Sequence, residues 1–178
     1  MFETSNDLSP STRQSAVELL NEHLADAIDL QVQAKQAHWN VKGPNFVGLH
    51  ELFDRVAAQA IEFSDLIAER AVALGGVARG TVQVVSIRTQ LREYPLEVGD
   101  WRVHVQAMQD ALATFGRGVR RAIDDATALN DVDTADLFTE ISRAADKSLW
   151  MVEAHIQDTS SGEPRIQQSA PESEASRR

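Results

Sequence analysis

The sequence predicts an all-α protein: a four-helix bundle with one long crossover between the second and third helices. Three observations carry that prediction. Four long segments repeat apolar residues at alternating steps of three and four, the spacing of one helix face. The chain of 178 residues has 9 Gly and 5 Pro, and most fall outside those segments, which leaves the helices unbroken. The connections run short, long, short, which makes two antiparallel pairs joined by a crossover.

The first helix is expected from about Pro10 to Asn40. Ser9 is its N-cap with Pro10 at the first helical position, and Ser11 with Gln14 offers an alternative capping box. Leu20, Leu24, Ala27, Gln31, Ala34 and His38 share one face, and the segment stops before the breaker pair Gly43-Pro44. The second helix is expected from about Asn45 to Leu74, with Phe53, Ala57, Ala60, Ser64 and Ile67 as its inner stripe and Gly75-Gly76 as its stop. From Gly76 to Gly99 the connection far exceeds the ~2–8 residues usual between antiparallel neighbours. Within it Thr81–Val85 is β-prone but has no partner strand, so it reads as an extended or short helical link. The third helix follows the N-cap Asp100 and runs to about Leu129, facing inward with Trp101, Met108, Leu112, Phe115 and Val119. The fourth starts near Asp133-Thr134 and ends near Gln157, with Leu137, Ile141, Ala145, Leu149, Val152 and Ile156 on its apolar face. Residues 1–9 are expected to form a flexible N-terminal segment, 10–158 the bundle, and 159–178 a flexible polar tail.

Composition narrows the function. The chain has no cysteine, which excludes disulfides and thiolate metal sites. No stretch approaches the ~20 apolar residues that span a bilayer. Met1–Gln14 lacks a basic run followed by an apolar one, so no secretory signal is expected and the cytoplasm is the expected location. The formal net charge of -10 suits a collector of cations and repels nucleic acid unless a local basic patch intervenes.

The informative polar residues lie on the helix faces. His38 closes the first helix, His50 and Asp54 are four apart on the second, and so are Asp65 and Glu69. Residues four apart share a face and can converge on one ion. Imidazole with carboxylates suits iron, zinc or manganese. The two pairs cannot serve one ion within a chain, because Asp54 and Asp65 lie roughly 16 Å apart along the helix axis. A solvated charge stripe is the plain explanation. The sharper one is two copies of this helix running antiparallel about a two-fold axis. The numbers of His50 and Glu69 sum to 119, and so do those of Asp54 and Asp65. Both half-sites then meet across a dyad near Gln59 and Ala60, where Ala57, Ala58 and Ala60 are expected to keep the centre thin. A di-iron centre within one subunit is not expected, because no histidine has a glutamate three positions before it.

The segment Lys35-Gln36-Ala37-His38-Trp39-Asn40-Val41 with Gly43, then Asn45-Phe46 and His50-Glu51 with Asp54, resembles the signature of the Dps family. Ala68-Glu69-Arg70-Ala71, Leu74-Gly75-Gly76, Asp146-Lys147 and Leu149-Trp150 are similar to its later motifs. The resemblance covers roughly residues 12 to 157. It implies a ferritin-like bundle, a hollow dodecamer with tetrahedral symmetry, and oxidation of Fe(II), preferably by hydrogen peroxide, with Fe(III) mineral stored inside. It also implies iron sites shared between two-fold-related subunits. His38, His50 and Asp54 come from one chain and Asp65 and Glu69 from the other, with Zn2+ as a competing ion. Trp39 stands beside the site as a weaker candidate for a redox role. Asp131, Asp133 and Asp136 match acidic residues around pores that admit Fe(II), although helix N-capping explains acidic residues there equally well.

A second reading is a nucleoid-associated DNA-binding protein with secondary iron chemistry. The termini weigh against it. Glu3 and Asp7 oppose Arg13 at one end, and Glu163, Glu172 and Glu174 oppose Arg165, Arg177 and Arg178 at the other. Neither tail has a lysine, so duplex binding is expected to be weak or absent at physiological salt. His23, His104 and His155 lack comparable partners and are expected to be structural.

Overall fold

The computed structural model describes residues 1–157. The expected tail, 159–178, lies outside the described residues. Five helices follow one another: α1 (Pro10–Asn40), α2 (Phe46–Ala73), α3 (Val82–Arg88), α4 (Trp101–Ala128) and α5 (Val132–Glu153), with no strand among the described residues. The four long helices form the expected bundle. α1 packs chiefly on α2 and α4 on α5, while α3 rests on α1 as part of the crossover.

Local chemistry sets the helix ends. The Ser9 hydroxyl accepts the Thr12 N–H at 3.1 Å with Pro10 just behind it, so the Ser9 cap is realised rather than the Ser11 box. Asp100 caps α4 by accepting from Arg102 N–H at 2.9 Å. Asp131 caps α5 through Thr134 N–H at 3.1 Å, which starts that helix slightly earlier than its apolar stripe suggests. The chain turns at Gly75 (φ +83°), where an added Cβ would sit 2.6 Å from the Phe2 carbonyl oxygen. At Gly76 a Cβ would meet Val17 at 2.4 Å, so the pair is small because α1 and the N-terminal segment press against it. That segment, read from the sequence as flexible, is tied here by Phe2 N–H donating to the Gly75 carbonyl at 2.7 Å.

The core is continuous, with Leu20, Leu30, Leu49, Phe53, Ile67, Met108, Leu112, Phe115, Phe138 and Ile141 fully buried. Phe138, absent from the expected α5 stripe, takes the inner position, and its neighbour Leu137 is half-buried. The Thr81–Val85 link resolves as the helical turn α3, with Val85 as its buried anchor.

Three buried polar residues of α1 hold the crossover. Asn21 donates to Val77 O and accepts from Arg79 N–H; Asp26 accepts Gln90 N–H at 2.7 Å; Gln33 donates to Arg92 O at 2.9 Å. A long connection leaves many backbone groups without ladder partners, and these side chains supply them.

Candidate functional site

The corner between α1 and α2 turns through Gly43 (φ +113°), and it brings the ends of both helices together. His38 sits in the last turn of α1 and His50 in the second turn of α2. Their rings stack with centroids 3.7 Å apart and planes 25° apart. His38 Nδ1 lies 2.8 Å from the His50 carbonyl oxygen, and His50 Nδ1 lies 2.9 Å from the His38 carbonyl oxygen. A carbonyl only accepts, so each Nδ1 carries a proton, which leaves Nε2 as the nitrogen that can offer a lone pair to an ion. The ring of Phe46 lies 5.1 Å from that of His50 and limits its swing. Two imidazoles are thus held in orientation by backbone carbonyls and neighbouring rings, the arrangement that metal-binding histidines need.

Asp54 follows one turn beyond His50 on the exposed surface. Its carboxylate accepts from Lys35 Nζ at 2.6 Å. That hydrogen bond and charge hold the Asp54 carboxyl below the usual carboxylate range. Lys35 precedes His38 by three residues on the same helix, and the sequence reading passed over it. The i,i+3 spacing within Lys35-Gln36-Ala37-His38 was the available signal.

Asp65 and Glu69 also project outward from α2, farther along. Among the described residues of one chain, no three His, Asp or Glu side chains are grouped to hold an ion. Within one chain the His38, His50 and Asp54 group is therefore separate from Asp65 and Glu69.

The outward stripe of α2 reads Val47, His50, Asp54, Ala58, Ile61, Asp65, Glu69, Val72, and all but half-buried His50 are exposed. The register that pairs His50 with Glu69 and Asp54 with Asp65 also pairs Ala58 with Ile61 and Val47 with Val72. An antiparallel copy in that register would set apolar against apolar at the centre and both ends, and polar against polar between. One expectation is corrected. Ala57 and Ala60 are 1% and 0% exposed and face their own bundle core, so only Ala58 of the three keeps the outward centre thin.

Among the acidic residues at the start of α5, Asp131 is 1% exposed. It accepts from Arg70 at 2.7 Å and from the Thr134 hydroxyl at 2.6 Å in addition to its cap bond. Its carboxylate is committed to joining α2 to α5, which is the capping reading of the two. Asp133 and Asp136 remain exposed. Trp39 is exposed, with Lys35 Nζ 5.9 Å from its ring.

The remaining histidines sit elsewhere. His23 is buried against Phe138, and burial, with Arg121 nearby, lowers it to about 4. His104 is buried beside Tyr94, and His155 is exposed with Nδ1 2.9 Å from Met151 O.

Comparison with known proteins places these features in context. Residues 17–161 match the family described as Ferritin-like domain. The chain is 45% identical over 157 residues to the "DNA protection during starvation protein" of Agrobacterium fabrum, covering 88% of this chain and 97% of that one. Among solved structures it is similar to DpsC from Streptomyces coelicolor, with TM-score 0.83, 30% identity and coverage of 89% and 92%. It is also similar to Dps from Microbacterium arborescens in the high iron form, with TM-score 0.78, 32% identity and coverage of 83% and 96%.

Proposed function

The chain belongs to the Dps family of ferritin-like proteins, and from that premise we propose that it oxidises Fe(II) at sites completed between two subunits and stores the Fe(III) product in a closed dodecameric shell. The observation that carries this reading is the reciprocal clasp of His38 and His50, which fixes two imidazoles with their lone pairs free for an ion. His38, His50 and Asp54 receive Fe(II) from one side, and Asp65 and Glu69 of the partner subunit close the site from the other.

The residue types divide the work. The imidazoles hold Fe(II), while the carboxylates favour the higher charge of Fe(III) and so lower the cost of oxidation. Asp54 facing Asp65 of the partner subunit is unfavourable without a cation between them. The Lys35 ammonium supplies that charge before iron arrives and withdraws as the ion enters. Hydrogen peroxide is the preferred oxidant and dioxygen the slower one. Two Fe(II) ions supply the two electrons that reduce one peroxide to water. Asp133 and Asp136 line the pores that admit Fe(II), and the net charge of -10 concentrates cations at the shell. Protection of DNA follows from removing iron and peroxide together, not from coating the duplex. The N-terminal segment, with Glu3 and Asp7, is acidic and is tied at Phe2.

The test is Fe(II) consumption followed with and without peroxide, on protein whose mass is first measured by light scattering. A closed oligomer with fast, peroxide-accelerated oxidation is expected. A native monomer sinks the shared site, and an oligomer that leaves Fe(II) unoxidised reduces the protein to a structural bundle. A gel shift at low and physiological salt is expected to show only weak, salt-sensitive DNA binding; tight binding near physiological salt overturns that part.

A further inference from the structure

Away from the iron ligands, the crossover contributes a second pair of residues with redox chemistry of their own. Tyr94 is 8% exposed and His104 is 2% exposed. The Tyr94 hydroxyl lies 2.6 Å from His104 Nδ1, a short bond between buried groups. Nothing in the iron site uses either residue, and Tyr94 is the single tyrosine of the chain.

A buried phenol is hard to oxidise alone, because removing an electron leaves a strongly acidic radical cation whose proton must go somewhere. Burial pushes the Tyr94 phenol well above its ordinary range, so it does not lose the proton beforehand. Burial favours the neutral imidazole of His104, and in the tautomer whose Nδ1 accepts from the Tyr94 hydroxyl that nitrogen is placed to take the phenolic proton, while a backbone hydrogen bond with Val98 favours the imidazolium once formed.

Location matters as much as chemistry. Tyr94 lines two clefts beside α1, one bounded by Gln33, Val103 and Asp110, the other by Val32, Gln36 and Leu96, so a small diffusible oxidant reaches it. Gln33 precedes His38 by five residues, about 8 Å of helix rise. Trp101, one turn from His104, lies against Gly43 in the corner between His38 and His50.

We propose that Tyr94 and His104 form a proton-coupled electron donor that intercepts one-electron oxidants escaping the iron site. The oxidant is the hydroxyl radical formed when one Fe(II) cleaves peroxide alone. Tyr94 gives it one electron and His104 Nδ1 takes the phenolic proton, which yields a neutral tyrosyl radical, an imidazolium and hydroxide. A later Fe(II) returns the electron and the imidazolium returns the proton, restoring both residues and leaving Fe(III). The sum is Fe(II) oxidised and the radical reduced to hydroxide. This role rests on the iron and peroxide reading above.

The single tyrosine makes the test direct. Assembled protein is loaded with Fe(II) without oxygen, given peroxide, frozen and examined by electron paramagnetic resonance. A parallel arm omits iron and peroxide and oxidises the protein with pulse-generated azidyl radical. A tyrosyl signal is expected in both arms, with complete loss in Tyr94→Phe. In His104→Gln the tyrosine remains but most of the signal is lost, and spin-trapped hydroxyl radical rises in both variants. Fe(II) consumption by peroxide should stay near that of the wild type. No tyrosyl signal in either arm overturns the proposal, and an unchanged signal in His104→Gln overturns the proton-accepting role. A signal with azidyl radical but none with iron and peroxide upholds the oxidisable pair and counts against the iron and peroxide reading instead.

Discussion

The two halves of α1 treat their ionisable side chains in opposite ways. In the first half, His23 and Asp26 are buried, and Asp26 is spent on the Thr89-Gln90 backbone and hydroxyl of the crossover. In the second half, Lys35 and His38 stay near the surface, and His38 keeps one ring nitrogen open. The difference teaches what a site requires beyond residue type. Both halves carry a histidine near a carboxylate. Only the second joins orientation by fixed hydrogen bonds to an unspent lone pair and room for a partner.

The largest effect that can break this comparison concerns the open half. One variant carries His50→Ala with Asp54→Ala, another Asp65→Ala with Glu69→Ala. Each alone is expected to lose most rapid Fe(II) oxidation. Unfolded, mixed and co-assembled, they should regain up to about a quarter of the wild-type sites, because mixed dimers restore one intact site by the two-fold logic of an isologous interface. No recovery in properly assembled mixtures refutes the inter-subunit site and leaves the fold standing.

A smaller effect tests the closed half through stability. Burial raises Asp26 to about 6 and lowers His23 to about 4. Between its unfolded value of 3.8 and about 6, native Asp26 keeps a proton that the unfolded chain releases, so stability falls as pH rises. His23 acts the other way. Below 6.5 the unfolded chain binds a proton that the native ring refuses until about 4, so stability falls as pH drops. The slopes largely cancel in wild type. Asp26→Asn removes one of them. It should stabilise the protein by ~1–2 kcal/mol at pH 7, with the gain shrinking toward pH 4. Denaturant unfolding at pH 7 and pH 5 checks this, and a gain that grows on acidification contradicts it.

The smallest effect sharpens the open half. Lys35→Met removes the cation that occupies Asp54, and Fe(II) affinity measured anaerobically should rise about two- to fivefold, the scale of an exposed ion pair. Unchanged affinity would mean that Lys35 leaves Asp54 at no cost once the shell assembles.

Much of this architecture is legible in the sequence. The long helices, the crossover and the caps Ser9 and Asp100 follow from periodicity and local hydrogen bonding, which act within a few residues. The exposed face of α2 that carries His50, Asp54, Asp65 and Glu69 was readable for the same reason, since spacing along one helix fixes which side chains share a face. Ala57 and Ala60 turn into the bundle core, because distance along the helix axis does not fix the angle around it.

What tertiary structure alone decided lies between residues distant in sequence. It set the tautomers of His38 and His50 through each other's carbonyls, gave Asp54 to Lys35, and turned Asp131 from an acidic surface residue into a buried link to Arg70. It also brought the lone tyrosine of an irregular crossover onto His104. Periodicity determines which face a side chain occupies, because backbone geometry repeats. Which atom it meets there depends on how the helices pack, and that depends on the whole chain at once.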